Sequence, residues 1–223
     1  MVTTGERTNN ATATGGRWSP PLVAVLAAIV GLCLLAAGGA LAVITGVGST
    51  RPPAESSADA GFARDMSAHH AQAVEMAQVV RDRGSDPALR LLAYDIETTQ
   101  LSQIGQMRGW LQSWGLMPES DQPRMAWMSG HGQAMPADGR MPGMATTAEL
   151  DRLKSLTGRQ LDVYFLQLMI RHHRGGLEMA QEGAEHASLG YVRDLASKMA
   201  GSQQAEVVTM EQLLRERGGQ PLP

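Results

Sequence analysis

Residues 62–78 read FARDMSAHHAQAVEMAQ, and residues 165–181 read FLQLMIRHHRGGLEMAQ. Aligned without a gap, they match Phe62 with Phe165, Met66 with Met169, His69 with His172 and His70 with His173. The run Glu75 to Gln78 repeats as Glu178 to Gln181. The offset of 103 residues continues downstream, pairing Gln100 with Gln203, Gln103 with Glu206, Met107 with Met210 and Leu111 with Leu214. A helical-hairpin unit has been duplicated.

At about 100° per residue, Phe62, Met66, His69, Ala73, Met76 and Val80 fall on one helical stripe. His70 and Ala77 flank that stripe, and Glu75 points away from it. The downstream segment gives a matching stripe of Ile96, Gln100, Gln103, Met107 and Trp110. In the second unit Met199, Gln203, Glu206, Met210 and Leu213 repeat it, with a carboxylate in place of one amide. Each unit thus predicts a helix bearing His and Met packed on a helix bearing amides.

Working outward, helix one is expected from about Asp59 to Arg83, capped by Ser56 and closed by Gly84 as a C′ residue. Asp86 and Pro87 open helix two, which ends near Trp114. Residues 115–146 are rich in Pro and Gly without sustained period, and predict a long exposed loop. It carries Met117, Met125, Met128, Met135, Met141 and Met144, with His131 among them. Thr146 and Glu149 form a capping box for helix three, which should run to about His186 with a weak spot at Gly175-Gly176. Helix four runs from about Ser188 to Arg217, and residues 218–223 are a tail. The expected fold is all-α, a four-helix bundle of two duplicated hairpins over 59–217.

Ahead of the bundle, no residue between Arg17 and Arg51 is charged. The apolar run Leu22 to Val47 would span roughly 39 Å as a helix, against a hydrocarbon core of about 30 Å. Residues 18–50 are therefore read as a single-pass membrane anchor, residues 1–17 as a cytosolic tail and 51–58 as a linker. The rival reading is a signal peptide cut near Ala40-Leu41-Ala42, which would release a secreted protein. Either way the bundle lies outside the cytosol. The single cysteine, Cys33, permits no internal disulfide. A net charge of −3 offers no nucleic-acid footprint.

The doubled Met-x-x-His-His, the Glu-Met-Ala-Gln runs and the downstream Gln-x-x-(Gln/Glu)-x-x-x-Met together resemble the bacterial family called domain of unknown function 305. The resemblance covers about 59–217. It implies a ferritin-like fold, export or membrane anchorage, and copper binding in copper tolerance.

The residues themselves make a separate case for a metal. Thioether and imidazole form a soft-to-borderline donor set that suits Cu(I) and accepts Cu(II) or Zn(II). Met66, His69, His70 and Met76 with Met169, His172, His173 and Met179 are the candidate copper ligands. Gln100, Gln103, Gln203 and Glu206 are candidates to orient the imidazoles. Met125, Met128, His131, Met135, Met141 and Met144 form a candidate labile second site. Each has a plainer reading: methionine fills cores, His69 and His172 can be buried structural His–Gln pairs, and His70 and His173 can sit at the rim. Glu75 and Glu178 suit ion pairs better than ligation. No Glu-x-x-His pair supports a di-iron centre, and no motif for covalent catalysis is present. A non-enzymatic interaction module, with the loop binding a partner protein, is the alternative to a metal-binding protein; a redox enzyme using bound copper is a third reading, and the chain can also form a homo-oligomer.

Overall fold

The computed structural model describes residues 20–45, 51–128 and 138–222. Among them the chain is all-helical, with six α-helices and no strand. It divides into two compact units, Met1–Arg51 and Pro52–Pro223. The first holds α1 (Pro20–Thr45), a helix of 26 residues. It coincides with the expected span, yet among the described residues no helix is long and apolar enough to cross a membrane. The anchor is thus a proposal and not a property of the fold.

In the second unit α2 (Ala58–Arg83) pairs with α3 (Pro87–Ser113), and α5 (Gly158–His186) pairs with α6 (Gly190–Glu216). The two hairpins meet through α2 and α5. Asp59 fixes how they meet: its carboxylate accepts from the Ser188 and Leu189 N–H groups at the start of α6, at 3.0 and 2.9 Å. Asp162, 103 residues later, accepts from the Ser85 N–H and hydroxyl just ahead of α3. Each hairpin therefore holds the segment just ahead of a helix of the other, and α2 and α5 run antiparallel about a pseudo-twofold axis. Asp59→Ala would leave two backbone donors at a helix start without their acceptor. The expected cost is about 1–2 kcal/mol, read as a lower urea midpoint.

The expected helix ends hold with local corrections. Ser57, not Ser56, caps α2, and Asp86 with Pro87 opens α3 as predicted. Gly84 has φ −58°, so it is not a left-handed stop; a Cβ there would crowd the Val80 carbonyl. The single helix three expected from Thr146 is two helices. The capping box opens α4 (Thr147–Ser155), the chain turns extended at Leu156 and Thr157, and α5 restarts at Gly158. Gly158 takes φ +57°, a conformation that costs glycine least. Leu189 at the start of α6 has no side-chain cap, and its own N–H is held by Asp59.

Two apolar clusters fill the bundle. One holds Met76, Phe165, Met169 and Met210, and the other holds Phe62, Met66, Met107, Met179 and Met199. Phe62 seats against Gly183 of α5, where any Cβ would collide with its ring. Met107 and Met210 are fully buried, as expected of core residues.

Candidate metal centre

Neighbouring residues on a helix point about 100° apart, and the histidine pairs use that angle. His69 and His172 face the opposite hairpin and meet on the pseudo-twofold axis, ring centroids 3.8 Å apart and tilted by 37°. His70 and His173 turn toward their own hairpin partners. His70 Nε2 is 2.8 Å from Gln103 Oε1, and His173 Nε2 is 2.6 Å from Glu206 Oε2. All four imidazoles are at most 1% exposed. The rim position considered for His70 and His173 is therefore corrected: the amide and carboxylate on α3 and α6 draw them inward.

The hydrogen bonds assign ring protons. His69 Nε2 lies 3.0 Å from the Pro142 carbonyl oxygen, which can only accept. A carboxylate and an amide oxygen also only accept, so Nε2 donates in His69, His70 and His173. In the neutral His69 and His70 rings the lone pair then sits on Nδ1, and the Nδ1 atoms of all three histidines are buried without a partner among the described residues. His172 Nε2 and Gln100 Oε1 are likewise unpartnered among the described residues. A buried polar atom left unpaired costs about 1–3 kcal/mol. Four such imidazole nitrogens in one layer form a concentration of unused donors. Gln103 and Glu206 each hydrogen-bond one of these imidazoles. Gln203 is buried close to His69, both lying against Gly176.

Burial also holds three of the rings neutral. It pushes His69 down to about 4 and His70 to about 3. His172 falls well below the ordinary histidine value for the same reason, with repulsion from the other three imidazoles adding to it. Neutral imidazole is the form that ligates metal.

A strap of chain, residues 140–146, lies over this layer. Gln72 of α2 grips it from both sides, its amide donating to the Ala145 carbonyl at 3.0 Å and accepting from the Ala145 N–H at 2.6 Å. On the other side Gly175 of α5 has no side chain, and any Cβ would strike the Pro142 carbonyl. Gly143, at φ +77°, packs on the Arg171 and His172 backbone. Arg171 closes the far end with a two-pronged pair to Glu149 at 2.9 and 2.7 Å, which pulls that carboxyl down to about 2. The glycine pair expected to weaken helix three therefore makes room: Gly175 for the strap, Gly176 for His69 and Gln203.

The thioethers lie on both flanks. Met66 and Met179 belong to one apolar cluster, Met76 and Met169 to the other, and all four are fully buried. The loop differs from its expected exposure. Met125, Met128 and Met141 are buried in the cluster with Met66, and Met144 packs against it, while Met117 is exposed. Asp65 docks this loop by accepting from the Met125 N–H and the Trp127 indole N–H, both at 2.8 Å. That contact holds Met125 at φ +63°, a strained position for a residue with a side chain. His131 and Met135 lie outside the described residues. Glu75 pairs with Lys154, in keeping with an ion-pair role.

Asp65, Gln72 and the strap were not singled out from sequence. A usable signal was the difference between the copies: Gln72 aligns with Gly175, and Ala73 with Gly176. Among the described residues no group of three or more His, Cys, Asp or Glu side chains stands ready to hold an ion.

A family model for domain of unknown function 305, DUF305, matches residues 59–214. The chain belongs to the DUF305 family. A DUF305 protein from Streptomyces coelicolor, described as a candidate secreted protein, is 50% identical with a TM-score of 0.71, over 76% of this chain and 99% of that one. A DUF305 fragment from Deinococcus radiodurans is 33% identical with a TM-score of 0.60, over 71% and 96%. CopM, solved in Cu(II)- and Cu(I)-bound forms, is 25% identical, with TM-scores of 0.55 and 0.54. The Cu(II) form aligns over 72% of this chain and 97% of its own. Among curated proteins, none matches.

Proposed function

We propose that this DUF305 chain binds copper, chiefly as Cu(I), and buffers it or passes it on outside the cytosol. The observation that carries the reading is the set of buried, unpartnered imidazole nitrogens around the His69–His172 contact. Burial holds the His69, His70 and His172 rings neutral, and four buried methionines lie on the flanking turns. His69, His70, His172 and His173 would hold the ion, and Met66, Met76, Met169 and Met179 would supply soft donors. Because no three nitrogen or oxygen ligands are grouped among the described residues, thioether sulfur or a ring turn has to complete the shell. That favours Cu(I), which accepts few ligands and prefers sulfur. The copper forms of CopM support the choice of metal. Met125, Met128, Met141 and Met144 would act as a weaker reserve, together with His131 and Met135. The uncharged segment at 18–50 would carry the bundle across the membrane and hold it there, with the secreted description of the Streptomyces relative supporting an exterior location.

A second reading has its own observation. The His70–Gln103 and His173–Glu206 bonds are what a structural polar layer in an interaction module needs, with no metal at all. Elemental analysis of the purified chain after exposure to Cu(I), Cu(II), Zn(II) and Fe(II) separates the two. Copper retained through gel filtration above the other metals supports the first. No retained metal of any kind leaves the second.

A further inference from the structure

The strap at 140–146 breaks the twofold pattern of everything around it. The duplication gives two hairpins, two histidine pairs and two reciprocal aspartate contacts, but among the described residues one strap crosses α2 and α5. It meets different residues at equivalent positions: Gln72 on one helix grips it, and Gly175 on the other leaves space for it. Its Pro142 carbonyl ends directly on His69 Nε2. The strap therefore covers one mouth of the histidine layer and fixes the ring proton of His69.

We propose that residues 140–146 are the door of the histidine centre, with Gln72 as its latch, so that an ion is exchanged when the strap lifts. This rests on the metal reading above, but the opening itself is a property of the apo fold. The strap is suited to open alone. Its polar anchors are one side-chain amide, one imidazole contact and the Arg171–Glu149 pair at its end, and its apolar anchors are Met141 and Ala145, one in each apolar cluster. It contributes no helix to the bundle, whereas the imidazoles beneath sit on helices buried on both flanks. Lifting it would expose His69 Nε2 and free that ring to turn its other nitrogen. Both changes are needed if an ion is to reach a layer otherwise closed by Gln103, Glu206 and the two apolar clusters. Glycine at 175 then has a purpose beyond packing: a side chain there would hold the door ajar.

The test uses the full chain and two variants that loosen the strap from opposite sides, Gln72→Ala and Gly175→Ala. Without metal, carbethoxylation by diethyl pyrocarbonate reports imidazole access. Both variants should raise the modification rate of His69 and His172 by about tenfold, the shift expected when two neutral hydrogen bonds are lost. Loaded with Ag(I) or Cu(I), both should release the ion to a chelator about tenfold faster, with equilibrium affinity changed less than the rates. Gln72→Glu, which keeps an acceptor for the Ala145 N–H, should fall between wild type and Gln72→Ala. Should the variants fold poorly, amide exchange at Ala145 in the unaltered chain decides. Exchange faster than at the helical amides around His69 supports a separately opening strap, and equal protection overturns it. Unchanged modification rates in both folded variants also overturn it. A chain that holds no ion but shows the faster modification would sink the metal reading while leaving the opening in place.

Discussion

His69→Ala combined with His172→Ala is expected to abolish copper retention through gel filtration and the thermal stabilisation that copper confers on the wild type. The two rings are the layer's meeting point, at 3.8 Å, and contribute two of its four unpartnered nitrogens. Ligand at about a hundredfold excess over Kd stabilises the native state by roughly 2.7 kcal/mol. For a chain of this size that raises Tm by about 5–10 °C, and the double variant should show none of it. The apo fold should survive the change. Truncation leaves a cavity, but it also removes two buried atoms that lacked partners, and the two effects oppose each other. Differential scanning calorimetry with and without Cu(I) reads both quantities. Full copper retention by the folded double variant would transfer the site to the thioethers and end the imidazole proposal.

Mild acid is the second large effect. In the apo protein burial holds His69 at about 4 and His70 at about 3, and places His172 well below its usual value. The unfolded chain takes up protons near pH 6.5. Below that pH the unfolded state binds more protons than the native state, so stability falls as pH falls. The loss begins near pH 6.5 and continues as pH drops toward the folded values. Each of these histidines contributes a slope of up to ~1.4 kcal/mol per pH unit in that window. Above pH 7 the same groups contribute no slope. Urea midpoints at pH 7.5, 6 and 5 should fall progressively, and His70→Gln should flatten the trend. A midpoint that holds level from pH 7.5 to 5 would contradict neutral burial of the layer. Copper release should follow the same direction, because protons and metal compete for one lone pair.

The repeat made much of this legible from residues alone. The 103-residue register located the hairpins, the histidine layer and the pair Gln103 and Glu206, because helical period and pairing act over short, regular spacings. What remained hidden depends on chain without a period. Residues 115–146 read as exposed because Pro and Gly interrupt every pattern, yet a single buried carboxylate, Asp65, and the Trp127 ring against Gly61 bring the segment onto the bundle. The break between α4 and α5 was hidden for a related reason. Its extended residues Leu156 and Thr157 carry no strong breaker, and Gly158 by itself is tolerated inside a helix. The fit of Gly175 to the strap could not be read locally either, since it depends on a carbonyl 33 positions earlier in the chain.

Asp59 and Asp162 have an implication for origins. Each half holds the segment ahead of a helix belonging to the other, and each contributes one ring to the axial stack, so one half alone is complementary to a copy of itself. The simplest ancestor is a pair of identical subunits, joined afterwards into one polypeptide. Identical subunits cannot carry glutamine on one side and glycine on the other, nor an amide opposite an acid. Once the unit was duplicated, Gln72 could diverge from Gly175 and Gln103 from Glu206, which gives a symmetric arrangement a front and a back.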